Sequence, residues 1–199
     1  MTAPAYVNAG SITGGSGTSG TPGLPSSRVL GSMLIAFIQV ATATGQTFSV
    51  GGGWTIGDTS NAGGGSSAWA WRIIDGAEAA PVFSWSTSAT WHGQVYQYTN
   101  NDPESAIVVG TKNNGNSTTC TTAAINTTRK NSLAVCFMMH AGSQAFPVPA
   151  GFTSRSAFND AGGSNLLCDE TVAGSGASSS TPSSTITSAQ WQAFLFELQ

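Results

Sequence analysis

The chain has 199 residues, 40% of them hydrophobic, and a formal net charge of −3. Only 8% are charged, where a typical soluble domain carries about a quarter. Its six dispersed Lys and Arg make no basic field for a nucleic-acid backbone, and no apolar run approaches the roughly 20 residues of a membrane helix.

At this length one domain with a sizeable core is the expectation. Gly, Ser, Thr and Asn stand in for the missing charges. They leave a polar surface with little electrostatic protection against self-association. Such a surface suits part of a larger assembly, and a homo-oligomer is expected. The opening residues MTAPAYVNAG lack the basic and apolar regions of a secretory signal, so synthesis in the cytoplasm is expected.

In chain order, residues 1–31 read as a first strand over Ala5–Ile12, then a Gly/Ser/Pro-rich arm pinned against the domain or a neighbour. Ser32–Val40, SMLIAFIQV, is an apolar run bounded by breakers, as a buried strand requires. Thr47–Val50 and Trp54–Ile56 follow as strands around a glycine turn or bulge at Gly51–Gly53. Gly57–Ser66 reads as a loop. Ser67–Ile74 alternates as a half-buried strand and ends in the turn signal Asp75-Gly76. Pro81–Trp85, Gly93–Tyr98 and Ile107–Val109 are further short strands, with a turn at Asn100–Pro103. Thr111–Thr128 is polar and without period, a separator.

The cycle then restarts. Ser132–Met139, SLAVCFMM, echoes the first apolar run about 100 positions later. Strands follow at Ala145–Val148, Phe152–Ala157, Leu166–Val172, Ser183–Thr187 and Gln192–Leu198, with loops at Asn159–Asn165 and Gly174–Ser180. Gly53-Trp54-Thr55 returns as Gly151-Phe152-Thr153, and Trp91 returns as Trp191. Many short strands with Gly-rich turns and no capped helical period predict an all-β fold. The architecture expected is a two-repeat antiparallel β-sandwich, jelly-roll-like, with equivalent strands pairing around a pseudo-two-fold. Residues 1–31 form its N-terminal strand and arm. Residues 32–199 form the sandwich, with repeats at about 32–110 and 131–199.

Candidates for chemistry are sparse. His92 and His140 lack a carboxylate or thiolate at metal-ligand spacing, so no metal is expected. Cys120, Cys136 and Cys168 are an odd, scattered set and read as buried thiols without a predicted disulfide. The acid pairs Asp75/Glu78 and Asp102/Glu104 flank turns, and Asp169 and Glu170 point to opposite faces of a strand. A hydrolase dyad is therefore not expected. No G-x-S-x-G elbow or Walker lysine is present, so neither catalytic residues nor a cofactor are expected. Asn116-Ser117-Thr118 and Asn126-Thr127-Thr128 match the glycosylation pattern, which a Thr/Asn-rich stretch produces by chance. Among six tryptophans, Trp54, Trp91 and Trp191 recur as repeat positions and read as core. Trp69, Trp71 and Trp85 have no aromatic counterpart and are the candidates for an interface or ligand face.

The pieces AWAWRIIDGAEA, FSWSTSATW, PVPAGFT and LLCDETVAG, set around the two apolar strands, resemble β-sandwich proteins encoded among the virion genes of tailed bacteriophages and prophages. The resemblance runs from about Arg28 to the end. It implies a non-enzymatic virion component: capsid decoration, head fibre or tail accessory protein. Its partners would be other virion proteins. A carbohydrate-binding module or host-surface adhesin, taking a host glycan, is the alternative. Arg72, Asp75, Gly76 and Glu78 are its most recognisable polar positions and read as a strand-end turn held by an Arg–carboxylate contact. Gly31-Ser32-Met33 departs from the Gly-Asp such proteins often carry before this strand.

Overall fold

The computed structural model describes residues 2–41, 45–62, 65–102, 106–160 and 163–199. The chain is all-β, with two antiparallel sheets, the class expected of a β-sandwich. Contacts divide it into two compact units, Tyr6–Thr99 and Asn100–Gln199 with Met1–Ala5.

The first sheet comprises β1 (Ala5–Ala9), β2 (Thr13–Gly20), β3 (Met33–Ala41), β4 (Ser49–Val50), β5 (Thr55–Ala62), β6 (Gly65–Ile73) and β7 (Phe83–Thr99). Its order is β1-β7-β3-β6-β5, with β2 and β4 also on β7. The second comprises β8 (Ile107–Thr121), β9 (Ser132–His140), β10 (Thr153–Asp160), β11 (Gly163–Val172) and β12 (Ser183–Leu198). Its order is β10-β11-β9-β12-β8.

The duplication is one of connectivity. Each apolar run is the central strand, flanked on one side by a two-strand hairpin and on the other by the long last strand of its unit. Registers correspond residue by residue. Ala36 faces Ala70 and Val95, while Cys136 faces Cys168 and Leu195. The sequence reading pairs equivalent strands with one another. The structure instead gives each repeat its own sheet, in which the central strand lies between its unit's hairpin and its unit's last long strand.

Both central strands are buried throughout, Met33–Val40 and Ser132–His140. One face of the first sheet packs Leu34, Ala36 and Ile38 with Ala68, Ala70 and Val95, under Trp54, Phe83, Trp85 and Trp91. The same face of the second packs Ala134, Cys136 and Met138 with Leu166, Cys168 and Leu195, under Phe146, Phe152 and Trp191.

Four stretches read as loop or separator are strand. Thr13–Gly20 is β2; of Gly57–Ser66, residues 57–62 lie in β5 and 65–66 in β6; of Thr111–Thr128, residues 111–121 lie in β8; and of Asn159–Asn165, residues 159–160 lie in β10 and 163–165 in β11, with 63–64 and 161–162 outside the described residues. Their glycines carry no hydrophobic period, but they let a tryptophan lie flat on the backbone. A Cβ on Gly57 would sit 2.3 Å from the Trp69 ring. A Cβ on Gly20 would sit 2.6 Å from Trp91, and one on Gly115 2.7 Å from Trp191. Conversely, Ala145–Val148 is not strand, although Phe146 is buried. Thr47–Val50 is strand only at Ser49–Val50. The unit boundaries follow from these strands. β2 completes the first sheet where the sequence reading set an arm over 1–31, and β8 opens the second unit ahead of residue 131.

Candidate functional site

The polar residues named from sequence meet where the turn leaving β6 lies against the turn entering β3. Arg72, near the end of β6, donates through Nη2 to both carboxylate oxygens of Asp75, at 3.1 and 2.9 Å. Its Nη1 donates to the Gly52 carbonyl. Asp75 also accepts the Ala77 N–H at 2.9 Å. That N–H and the guanidinium hold its carboxyl below the ordinary range. Glu78 does not join Arg72. It accepts from Arg28 Nε at 2.6 Å and from the Gly76 N–H at 2.9 Å. Burial pushes Glu78 up, but its own N–H, Arg28 and Gly76 outweigh that and leave it lowered. Arg28 lies in the turn before β3, so Glu78 ties the entry of the central strand to the exit of β6.

The second unit carries a different set of polar contacts. Arg155 grips Asp169 in a two-bond fork, at 2.7 and 2.8 Å. Glu170 accepts the Ser180 N–H and hydroxyl, both at 2.7 Å. Arg129 donates to Asp102.

The turn entering each central strand has a further support that sequence reasoning missed. Gln97 and Glu197 occupy the same position, opposite Leu34 and Ala134, and both side chains are buried. With its amide turned so that oxygen faces the donor and nitrogen the acceptors, Gln97 accepts the Val29 N–H at 3.0 Å and donates to the Ser27 carbonyl at 2.9 Å and Asn8 Oδ1 at 3.2 Å. Glu197 accepts the Thr128 N–H at 3.0 Å, the Thr128 hydroxyl at 3.0 Å, the Arg129 N–H at 3.3 Å and the Ser132 hydroxyl at 2.5 Å. Burial pushes its pKa up, but the Ser132, Thr128 and Gln199 donors prevail and hold it low. Each turn ends in a left-handed residue, Gly31 at φ 78° and Asn131 at φ 59°, types that tolerate that region. The signal in the sequence is the spacing of about 100 between Gln97 and Glu197.

Of the three tryptophans expected at an interface or ligand face, two are buried within their unit. Trp69 is 4% exposed and Trp85 5%. Trp69 packs on Phe37, and Trp85 lies between Phe48 and Trp91. Both belong to their unit's interior, because their large apolar area is worth more inside than out. Trp71 is half-buried, in register between Ile35 and Thr55.

His140 takes the strand position that Val40 holds in the first unit. Its Nδ1 accepts the Gly142 N–H at 2.9 Å, so Nε2 carries the proton and donates to the Gln144 carbonyl at 2.6 Å. Burial depresses its pKa and keeps it neutral. It serves the loop after β9. His92 is half-buried against Gly14, whose added Cβ would lie 2.5 Å from its ring. Among the described residues no group of three His, Cys, Asp or Glu is placed to hold a metal ion.

Cys120, Cys136 and Cys168 are buried thiols in the second unit's core. Cys136 and Cys168 are direct cross-strand partners. Burial pushes the Cys120 and Cys136 thiols far up, so they act as small apolar groups. Pro103 and Glu104 lie outside the described residues. A depression of about 200 Å³ over the Arg129–Asn131 turn is smaller than most ligand sites. No family model, curated protein or solved structure matches the chain.

Proposed function

We propose that the chain is a non-enzymatic structural subunit of a bacteriophage particle, acting in the virion through protein–protein contacts as a capsid decoration, head fibre or tail accessory protein. One observation carries the reading. The acids Asp75, Glu78, Asp102, Asp169, Glu170 and Glu197 are each engaged in holding a turn or strand end. The few charges of the chain are thus spent on rigidity, and the outer surface is polar and weakly charged. A rigid, duplicated sheet module with such a surface suits repeated docking on other virion subunits. The glycan reading has two of its three candidate rings, Trp69 and Trp85, inside the core.

The test is to purify particles of the phage or induced prophage that encodes the chain, on a density gradient, and to quantify the chain in the particle band by mass spectrometry. Co-banding at a fixed copy number is expected. Recovery only in the soluble lysate overturns the proposal.

A further inference from the structure

We propose that the outer edge of β8 is a self-association surface, where two copies of the chain pair antiparallel and join their second sheets edge to edge. Among the described residues, β8 lies at the end of its sheet and pairs with β12 alone. Lys112, Asn113, Asn114 and Asn116–Thr119 are exposed. A strand edge of this kind presents a row of main-chain donors and acceptors, which proteins normally interrupt with charges, proline or bulges.

The other outer strands are short or interrupted: β1 has five residues and β4 two. β5 carries Asp58 and a bulge between Ile56 and Asp58. β10 has a bulge between Ser154 and Ser156, at Arg155. β2 breaks register between Gly17 and Ser19. β8 is itself irregular between Ile107 and Gly110 and again beyond Ser117, but between these it runs in unbroken register from Gly110 to Ser117, a longer clean run than any of the others, with no proline and one charge, Lys112.

The occupant is a second copy because the segment can face itself over its whole length without a like-charge contact. In a two-fold antiparallel pair, directly opposite residues share a face, so the axis passes through a residue. Centring the Gly110–Ser117 run leaves two registers, with the axis at Asn113 or at Asn114. In the first Lys112 faces Asn114 of the other copy, and in the second it faces Asn116. In neither does Lys112 meet Lys112, and every other opposed residue is Gly, Thr, Asn or Ser. The pair therefore gains main-chain hydrogen bonds without burying a like-charge contact.

The inference deepens the structural-subunit reading and can fail apart from it. The variant Asn114→Lys places like charges directly opposite in either register. With the axis at Asn113 the introduced ammonium meets Lys112 of the other copy, and with the axis at Asn114 it meets its own symmetry mate. Sedimentation velocity and light scattering over a dilution series test it. The wild type is expected to dimerise, and N114K to dimerise roughly tenfold or more weakly with an unchanged melting temperature. Amide exchange over residues 110–117 of the wild type is expected to slow as protein concentration rises, a readout that needs no variant. A wild type that stays monomeric, exchange independent of concentration, or N114K assembling like the wild type overturns the proposal. Monomeric protein that still co-bands with particles removes β8 pairing alone. Dimeric protein absent from particles removes the structural-subunit reading alone.

Discussion

Replacing Glu197 with Gln tests how the entry turn of the second unit is held. The change keeps the shape of the side chain and matches what the first unit carries at Gln97. It is nevertheless expected to destabilise, because the two sites differ in what surrounds them. Gln97 has both a carbonyl to donate to, on Ser27, and an N–H to accept, from Val29. Glu197 faces donors: two backbone N–H groups, on Thr128 and Arg129, and the Thr128 and Ser132 hydroxyls. In E197Q one oxygen can still accept. The amide NH₂ then opposes N–H groups that cannot turn away. A hydrogen bond to a charged group is worth about 1.5–3 kcal/mol against 0.5–1.5 for a neutral one, and a buried donor left unpaired costs about 1–3. Rotation of the two hydroxyls recovers part of this, so a loss of about 2–3 kcal/mol is expected.

Urea denaturation followed by tryptophan fluorescence measures this loss. The acid limb gives a second reading. The folded pKa of Glu197 lies below its ordinary 4.5. Its stabilisation is therefore present above pH 4.5 and lost as pH falls toward and through the folded value. E197Q should be less stable than the wild type near neutrality, and the difference should narrow in acid. A variant within about 0.5 kcal/mol of the wild type, with the same pH profile, refutes the reasoning.

Two further outcomes follow from packing. Gly57→Ala should lower stability by about 1–3 kcal/mol. Elsewhere a Gly→Ala change gains about 0.4–1 kcal/mol through the unfolded chain, but here the methyl would lie 2.3 Å from the Trp69 ring; a rise in melting temperature would show that the ring is free to move. Cys120, Cys136 and Cys168 should resist alkylation in the native protein and all react once denatured, as counted by mass spectrometry, since all three are buried away from the reagent. Rapid native labelling of any one would contradict its placement.

The strand runs Ser32–Val40 and Ser132–Met139 were legible because continuous apolar residues between breakers have few other homes. Their equivalence was legible because a duplicated module must bury the same positions twice, which is why Trp91 returns as Trp191 and Trp54 as Phe152. The Arg72–Asp75 contact was within reach for the same reason, since three residues across a strand-end turn put the two groups side by side.

Other features were decided by tertiary structure alone. Thr13–Gly20 and Thr111–Thr121 have neither period nor strand-forming composition; they are strands because β7 and β12 offer them edges and because Trp91 and Trp191 need a bare backbone to lie on. The burial of Trp69 could not be read from alternation, since β6 buries odd and even residues alike around it, whereas Trp85 shares with Phe83 and Trp91 the buried parity of β7. Glu78 chose Arg28, 50 residues away, over the nearer Arg72 because the fold brings the turn before β3 against the loop after β6. Local sequence determines which segments must be covered. Which polar groups then face one another is settled only when distant turns meet.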